Sequence, residues 1–140
     1  MELDVAVPLP DGTVLVADVQ LPEGAGSFPT LLQRVPYGRG TPAIRDGALD
    51  TLRAVRRGYA VVTQDCRGRF DSDGEFEPFV HEAADGADTV AWIRLQPWSD
   101  GSVGMFGRSY SGFLQWQTAA LRPEGLHAIA PMFSLSLIHI

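Results

Sequence analysis

The stretch GSVGMFGRSYSGFLQWQ, residues 101–117, decides how this chain is read. An apolar run, SVGMF, leads into a turn of glycines and serines, and an amphipathic stretch follows. Glycine-rich turns that open helices either cradle phosphate or lift a nucleophile out of the backbone. Phosphate fits poorly. A P-loop needs G-x-x-x-x-G-K-[ST] after a strand. Here five residues separate Gly101 from Gly107, Arg108 stands where lysine belongs, and Gly101 precedes the strand. The dinucleotide pattern G-x-G-x-x-G fails as well, because Ser102 lies two before Gly104. The nucleophile reading fits better. Gly107-Arg108-Ser109-Tyr110-Ser111-Gly112 is a strand, a sharp turn and a helix with serine at the apex. Such an elbow strains the serine and pushes its hydroxyl above the sheet edge. The strand and helix nearly touch, so small residues must flank it. Gly107 supplies one side, Ser111 stands where the stricter G-x-S-x-G pattern has glycine, and Gly112 follows. The helix N-terminus behind Ser109 also aims amides at an oxyanion. From the hexapeptide alone a second reading stays open, a tight turn whose serine caps the helix.

Working outward, Leu3, Val5 and Val7 alternate as in a half-buried strand, Asp11-Gly12 marks a hairpin, and TVLVADVQL (13–21) resumes as strand. TLLQRV (30–35) reads as a third strand stopped by Pro36. One helix is expected over 44–57, with Leu49, Leu52 and Val55 among its apolar positions and Gly58 as its stop. YAVVTQDC (59–66) is a strand with few charges, as a central strand covered on both faces should be. Residues 81–96 place Ala84, Ala87, Ala91 and Leu95 at helical spacing. Residues 110–121 predict a buried helix, and LHAIAPM (126–132) a last strand. Antiparallel β followed by alternating β and α predicts a mostly parallel α/β sheet with antiparallel strands at one edge.

The chain has 140 residues, 45% hydrophobic, with a formal net charge of −6. That suits one globular domain or part of one, and the acidic balance argues against a nucleic-acid partner. The single cysteine, Cys66, permits no intrachain disulfide and reads as an inert buried thiol. MELDVAVPLP has neither the basic region nor the apolar core of a signal peptide, and no run approaches the roughly 18 apolar residues of a membrane span. A cytoplasmic protein without membrane contact is expected. The last residues, FSLSLIHI (133–140), form an apolar and uncapped ending. An exposed strand edge of that kind is unusual. The chain is therefore expected to be a fragment, or residues 134–140 not to be native.

Several separated segments, in order, resemble the Xaa-Pro dipeptidyl-peptidase/cocaine esterase family of α/β-hydrolases. RVPYGRG resembles its Pro-Tyr segment, and VVTQDCRGRFDSDGEFEPF its D-x-R-G-x-x-x-S-x-G-E-F stretch. HEAADGADTVAWIRLQPWSDGSVGM and the turn GRSYSG are similar to its approach to the nucleophile. The resemblance covers residues 1–133. It implies an α/β-hydrolase catalytic domain over 1–140, cut after the nucleophile helix and the next strand, with the family's helical cap and jelly-roll domain absent. It implies Ser109 as nucleophile, the Tyr110 backbone N–H as one oxyanion donor and the Tyr37 hydroxyl as the other. The substrate would be a small-molecule ester or amide, or a peptide, with no cofactor and no metal. Two fixed donors are what a carbonyl oxygen gaining charge requires. From the residues alone, Tyr37 reads as a packed aromatic after Pro36.

A serine nucleophile also needs a base and an acid that orients it, in the chain order Ser, Asp or Glu, His. After Ser109 only Glu124, His127 and His139 are available. Glu124 and His127 lie three apart at the start of one strand, where two separate loops should converge, so the pair is rejected. His81 reads as a surface residue opening a helix. Asp71-Ser72-Asp73-Gly74-Glu75 is too short of acids for a calcium loop and reads as a turn. Asp65, Arg67 and Arg69 are expected to form a structural ion-pair cluster near the sheet end. The competing function class is a non-catalytic chain that needs a partner or a complementing segment; its oligomeric state is not legible.

Overall fold

A computed structural model describes residues 1–135. His139 and most of the FSLSLIHI tail lie outside the described residues. The chain order is β1 (Glu2–Pro8), β2 (Val14–Gln20), β3 (Phe28–Val35), α1 (Pro42–Arg45), α2 (Thr51–Arg56), β4 (Ala60–Asp65), α3 (Glu82–Arg94), β5 (Ser99–Arg108), α4 (Tyr110–Ala120) and β6 (Leu126–Met132). All six strands join one sheet in the order β1-β2-β4-β3-β5-β6. β4, β3, β5 and β6 run parallel, while β2 meets β4 and β1 meets β2 antiparallel. This is the mostly parallel sheet with an antiparallel N-terminal edge that the sequence predicts. The hairpin turns at Asp11-Gly12, where Gly12 takes φ +89° and donates its N–H to the Leu9 carbonyl at 3.0 Å. Every residue of β4 is buried, as its low charge requires.

The two faces of the sheet are packed by different helices. α3 and α4 press Val90, Ile93 and Leu114 onto Leu32, Val62, Val103 and Met105. α2 sets Ala54 on Val61 and Phe106 of the other face. The helix after β3 therefore lies on one face and the helix after β5 on the other, although β3 and β5 are neighbours. Their carboxyl ends form a topological switch point, where open α/β sheets leave a crevice for ligands.

Two sequence expectations are corrected. The single helix over 44–57 is two short ones. α1 stops at Asp46, whose carboxylate accepts from Arg45 and from the Thr51 hydroxyl at 2.6 Å. Asp50 then caps α2 by accepting the Arg53 N–H at 3.0 Å. The Asp50 cap and the Asp46–Thr51 hydrogen bond outweigh the apolar spacing, and Leu52 stays exposed. In α3 the helix is found but its face is reversed. Ala84, Ala91 and Leu95 are exposed, whereas Glu82, Asp85, Gly86, Thr89, Val90 and Ile93 are buried. The buried Arg34 of β3 causes this: Glu82 holds it at 2.9 Å, and an unpaired interior guanidinium would be far costlier than exposed alanines.

Gly86 marks where α3 crosses α4. A Cβ there would sit 1.9 Å from the Thr118 hydroxyl oxygen. Gly86→Ala is expected to lower stability by about 1–3 kcal/mol through overpacking. Thr118→Ala in the same chain should recover part of the loss, which urea denaturation of the two variants would show. Among the described residues no helix is long and apolar enough to cross a membrane.

Candidate active site

Ser109 sits between β5 and α4 with φ 58° and ψ −124°, a conformation that a residue with a side chain adopts only under strain. The close approach around it is visible in the glycines. At Gly107, φ +137°, a Cβ would come within 2.7 Å of the Ser111 Cβ. At Gly112 it would lie 3.0 Å from the Met132 carbonyl at the end of β6. The Ser109 side chain makes no capping hydrogen bond. Its backbone carbonyl accepts from the Gly112 and Phe113 amides, and the hydroxyl is exposed. The capping reading left open by the hexapeptide therefore fails, and the turn is an elbow.

The Tyr37 phenol comes from the loop that follows β3, the strand beside β5. Its hydroxyl donates to the Ser109 Oγ at 3.3 Å and accepts the Tyr110 backbone N–H at 3.3 Å. Ser109, Tyr37 and Tyr110 are thus brought together at the switch point. The Tyr110 side chain turns the other way, into the core. Its hydroxyl donates to Glu82 Oε1 at 3.1 Å and accepts the Phe79 N–H at 3.0 Å, and its ring packs among Phe76, Phe79 and Phe113. Burial, with the Glu82 charge nearby, pushes the Tyr110 phenol well above its ordinary pKa and keeps it protonated.

Beneath the elbow lies a buried polar column that the sequence reading missed. Glu82 pairs with Arg34, Arg34 Nε donates to Gln64 at 2.7 Å, and Thr89 donates to the same Gln64 oxygen at 3.1 Å. Gln115 binds α4 to its surroundings: its amide donates to the Gly107 and Ser111 carbonyls at 3.2 and 2.8 Å and accepts the Ala130 N–H at 2.9 Å. The available signal was polar residues inside apolar strands, Arg34 in TLLQRV and Gln64 in YAVVTQDC, with acids at Glu82 and Asp85 on one helix face.

The remaining candidates fall away from the serine. Met132 pairs with Arg108 across the β5/β6 register. His127 lies five residues earlier on β6, about 16 Å further down a strand at 3.3 Å per residue. Glu124 pairs with Arg94 at 3.0 Å. His81 opens α3, 3.4 Å from Glu77. The expected Asp65–Arg67–Arg69 cluster is corrected, since each residue finds another partner. Asp65 pairs with Arg39, Arg67 with Asp85 and Asp11, and Arg69 donates to the Pro36 carbonyl while stacking on Phe70 and Phe76. Asp85 of α3 and Asp11 of the β1–β2 turn hold Arg67 at 2.7 and 2.8 Å. The 71–75 segment is a turn, closed by Gly68 N–H on the Asp73 carbonyl at 2.8 Å and by the Ser72 hydroxyl on the Asp65 carbonyl at 2.8 Å. Among the described residues no three His, Cys, Asp or Glu are arranged to hold a metal ion. Cys66 is buried, and that burial pushes its thiol up and out of reach of thiolate chemistry.

The model of the X-Pro dipeptidyl-peptidase (S15) family matches residues 11–139. The chain belongs to that family. Within it, the S15 chain is 49% identical over 129 residues to the cocaine esterase of Rhodococcus sp. (strain MB1 Bresler), covering 91% of this chain and 22% of that protein. It is 33% identical over 149 residues to a putative serine esterase of Mycobacterium bovis, covering 92% of this chain and 24% of the relative. Among solved structures, a CocE/NonD family hydrolase from Staphylococcus aureus superposes with a TM-score of 0.85 at 28% identity, over 91% of this chain and 26% of that one. An α-amino acid ester hydrolase gives 0.76 at 31% identity, over 91% and 25%. The chain thus spans about a quarter of the length of these four relatives. It has the α/β-hydrolase fold, and its family is one of hydrolases.

Proposed function

We propose that this chain supplies the nucleophile and oxyanion hole of a serine hydrolase acting through an acyl-enzyme on Ser109. One observation carries the reading. A strained, exposed serine has a phenol hydroxyl and a backbone N–H meeting beside its Oγ. In the first step Ser109 Oγ attacks the substrate carbonyl carbon and passes its proton to a base. The C=O electron pair moves onto oxygen, which accepts from the Tyr110 N–H and from the Tyr37 hydroxyl, now released from Ser109. Collapse expels the alcohol or amine, which takes the proton, and water then cleaves the acyl-enzyme. Among the described residues no histidine lies beside Ser109, so this reading requires a histidine and an orienting acid beyond them. No cofactor enters these steps.

Esters are the favoured substrate class, because the curated relatives at 49% and 33% identity bear esterase names. The full-length protein is expected to hydrolyse p-nitrophenyl acyl esters faster than Xaa-Pro p-nitroanilides; the reverse preference would assign it to the peptidases. Tyr37→Phe should lower kcat on the preferred substrate by about 10²- to 10³-fold with little change in KM, as loss of one oxyanion donor does. An unchanged kcat would remove Tyr37 from the mechanism.

A further inference from the structure

An oxyanion donor acts only if it is held within about 0.5 Å of the productive position. The Tyr37 phenol is 41% exposed, and its ring stacks on no aromatic among the described residues. Apart from the two hydrogen bonds of its hydroxyl, its position depends on the backbone on either side of it. On the N-terminal side the chain is tied to β4 and the following loop. The Val35 carbonyl accepts the Cys66 N–H at 3.0 Å, and the Pro36 carbonyl accepts from Arg69 at 2.8 Å. On the C-terminal side Gly38, at φ +96°, lies under the Phe70 ring, so close that a Cβ would come within 2.9 Å of it. Next comes Arg39, which is only 5% exposed.

Arg39 is bound through both its backbone and its guanidinium. Its backbone N–H donates to Asp65 Oδ1 at 2.8 Å. Its guanidinium reaches Asp18 Oδ1 at 3.0 Å and Asp71 Oδ2 at 2.8 Å, and it also pairs with Asp65 Oδ2 and Asp4 Oδ1. These carboxylates come from β2, the loop after β4, the end of β4, and β1. The four carboxylates, with Arg39 and Arg45, line a cleft of about 470 Å³. The clasp fixes residue 39 from several directions, two positions after Tyr37.

We propose that Arg39 is the positioning residue of the oxyanion hole: its carboxylate clasp fixes the loop from Pro36 to Arg39 and so places the Tyr37 hydroxyl at Ser109. The proposal rests on the hydrolase reading above. Arg39 touches neither Ser109 nor the oxyanion. It acts through Tyr37, so its contribution to catalysis disappears once the phenol hydroxyl is gone.

The test is a double-mutant cycle in the full-length protein. Arg39→Met keeps the bulk of the side chain and removes the fork. In the otherwise unaltered protein it is expected to lower kcat about 10- to 100-fold, the scale of an ångström-level misplacement, with KM nearly constant. In the Tyr37→Phe background the same change should lower kcat less than about 2-fold, while thermal midpoints fall equally in both backgrounds, since independent structural effects add. Arg39→Lys keeps the charge without the fork. It should give an intermediate kcat and the same collapse in the Tyr37→Phe background, and it carries the cycle should Arg39→Met fail to fold. Equal fold-losses in both backgrounds would overturn the proposal and leave Arg39 as a staple of the β1–β2 hairpin. Failure of the hydrolase reading looks different: Ser109→Ala would then retain the activity measured.

Discussion

Ser109→Ala is expected to remove the hydrolytic activity proposed for the full-length protein, with kcat falling by about 10⁶-fold, the loss seen when a serine nucleophile is deleted from an otherwise intact site. Labelling by a fluorophosphonate should vanish with it. In the proposed mechanism Oγ forms the acyl bond, and Tyr37 and the Tyr110 N–H would polarise a carbonyl without replacing the attack. The fold should be untouched, because the side chain is exposed and makes no capping bond. Ser109→Gly sharpens the point. Glycine adopts φ 58°, ψ −124° without the strain of a side chain, so it should be equally inactive yet more stable by about 1 kcal/mol, a modest share of the strain stored at such positions. Labelling of the full-length Ser109→Ala protein at the original rate would mean that another residue is the nucleophile.

What the sequence made legible follows from the range of the forces involved. The elbow is local: Gly107, Ser109, Ser111 and Gly112 are set by the approach of one strand to the next helix, so six residues disclose it. The sheet was legible through alternation in β1, the Asp11-Gly12 turn before β2 and the charge-poor run of β4. The α3 face was not. Its alanines make a plausible buried stripe, and what turns them outward is Arg34, almost fifty residues earlier in the chain. The clasp on Arg39 was hidden for the same reason, since its carboxylates come from four separate segments. Splitting of the 44–57 helix depended on the Asp46–Thr51 hydrogen bond and the side-chain cap at Asp50, which the apolar period does not register. The resemblance supplied Tyr37, which composition and spacing alone leave as a packed aromatic. Its hydroxyl lies 3.3 Å from Ser109 Oγ.

Glu82→Leu should have the largest effect on stability, about 3–5 kcal/mol, because it leaves Arg34 charged and unpaired in the core. Arg34 is fully buried, and burial opposes its charge; Glu82 at 2.9 Å is the main reason its pKa nevertheless lies above the ordinary value. Asp85 is a poor substitute at 4.0 Å, being held already by Arg67 at 2.7 Å. Urea denaturation would measure the loss. Arg34→Met in the same chain should restore more than half of it, since two apolar side chains replace a broken ion pair at little net cost. Activity should not recover in step. Glu82 also accepts the Tyr110 hydroxyl, whose oxygen in turn holds the Phe79 N–H, and Tyr110 contributes the backbone donor at the serine. Glu82→Gln separates the two roles. It keeps an acceptor for the phenol while giving up the charge, so it should lose much of the stability but less kcat than the restored double variant. Parallel recovery of stability and kcat in that double variant would show that Glu82 serves the core alone.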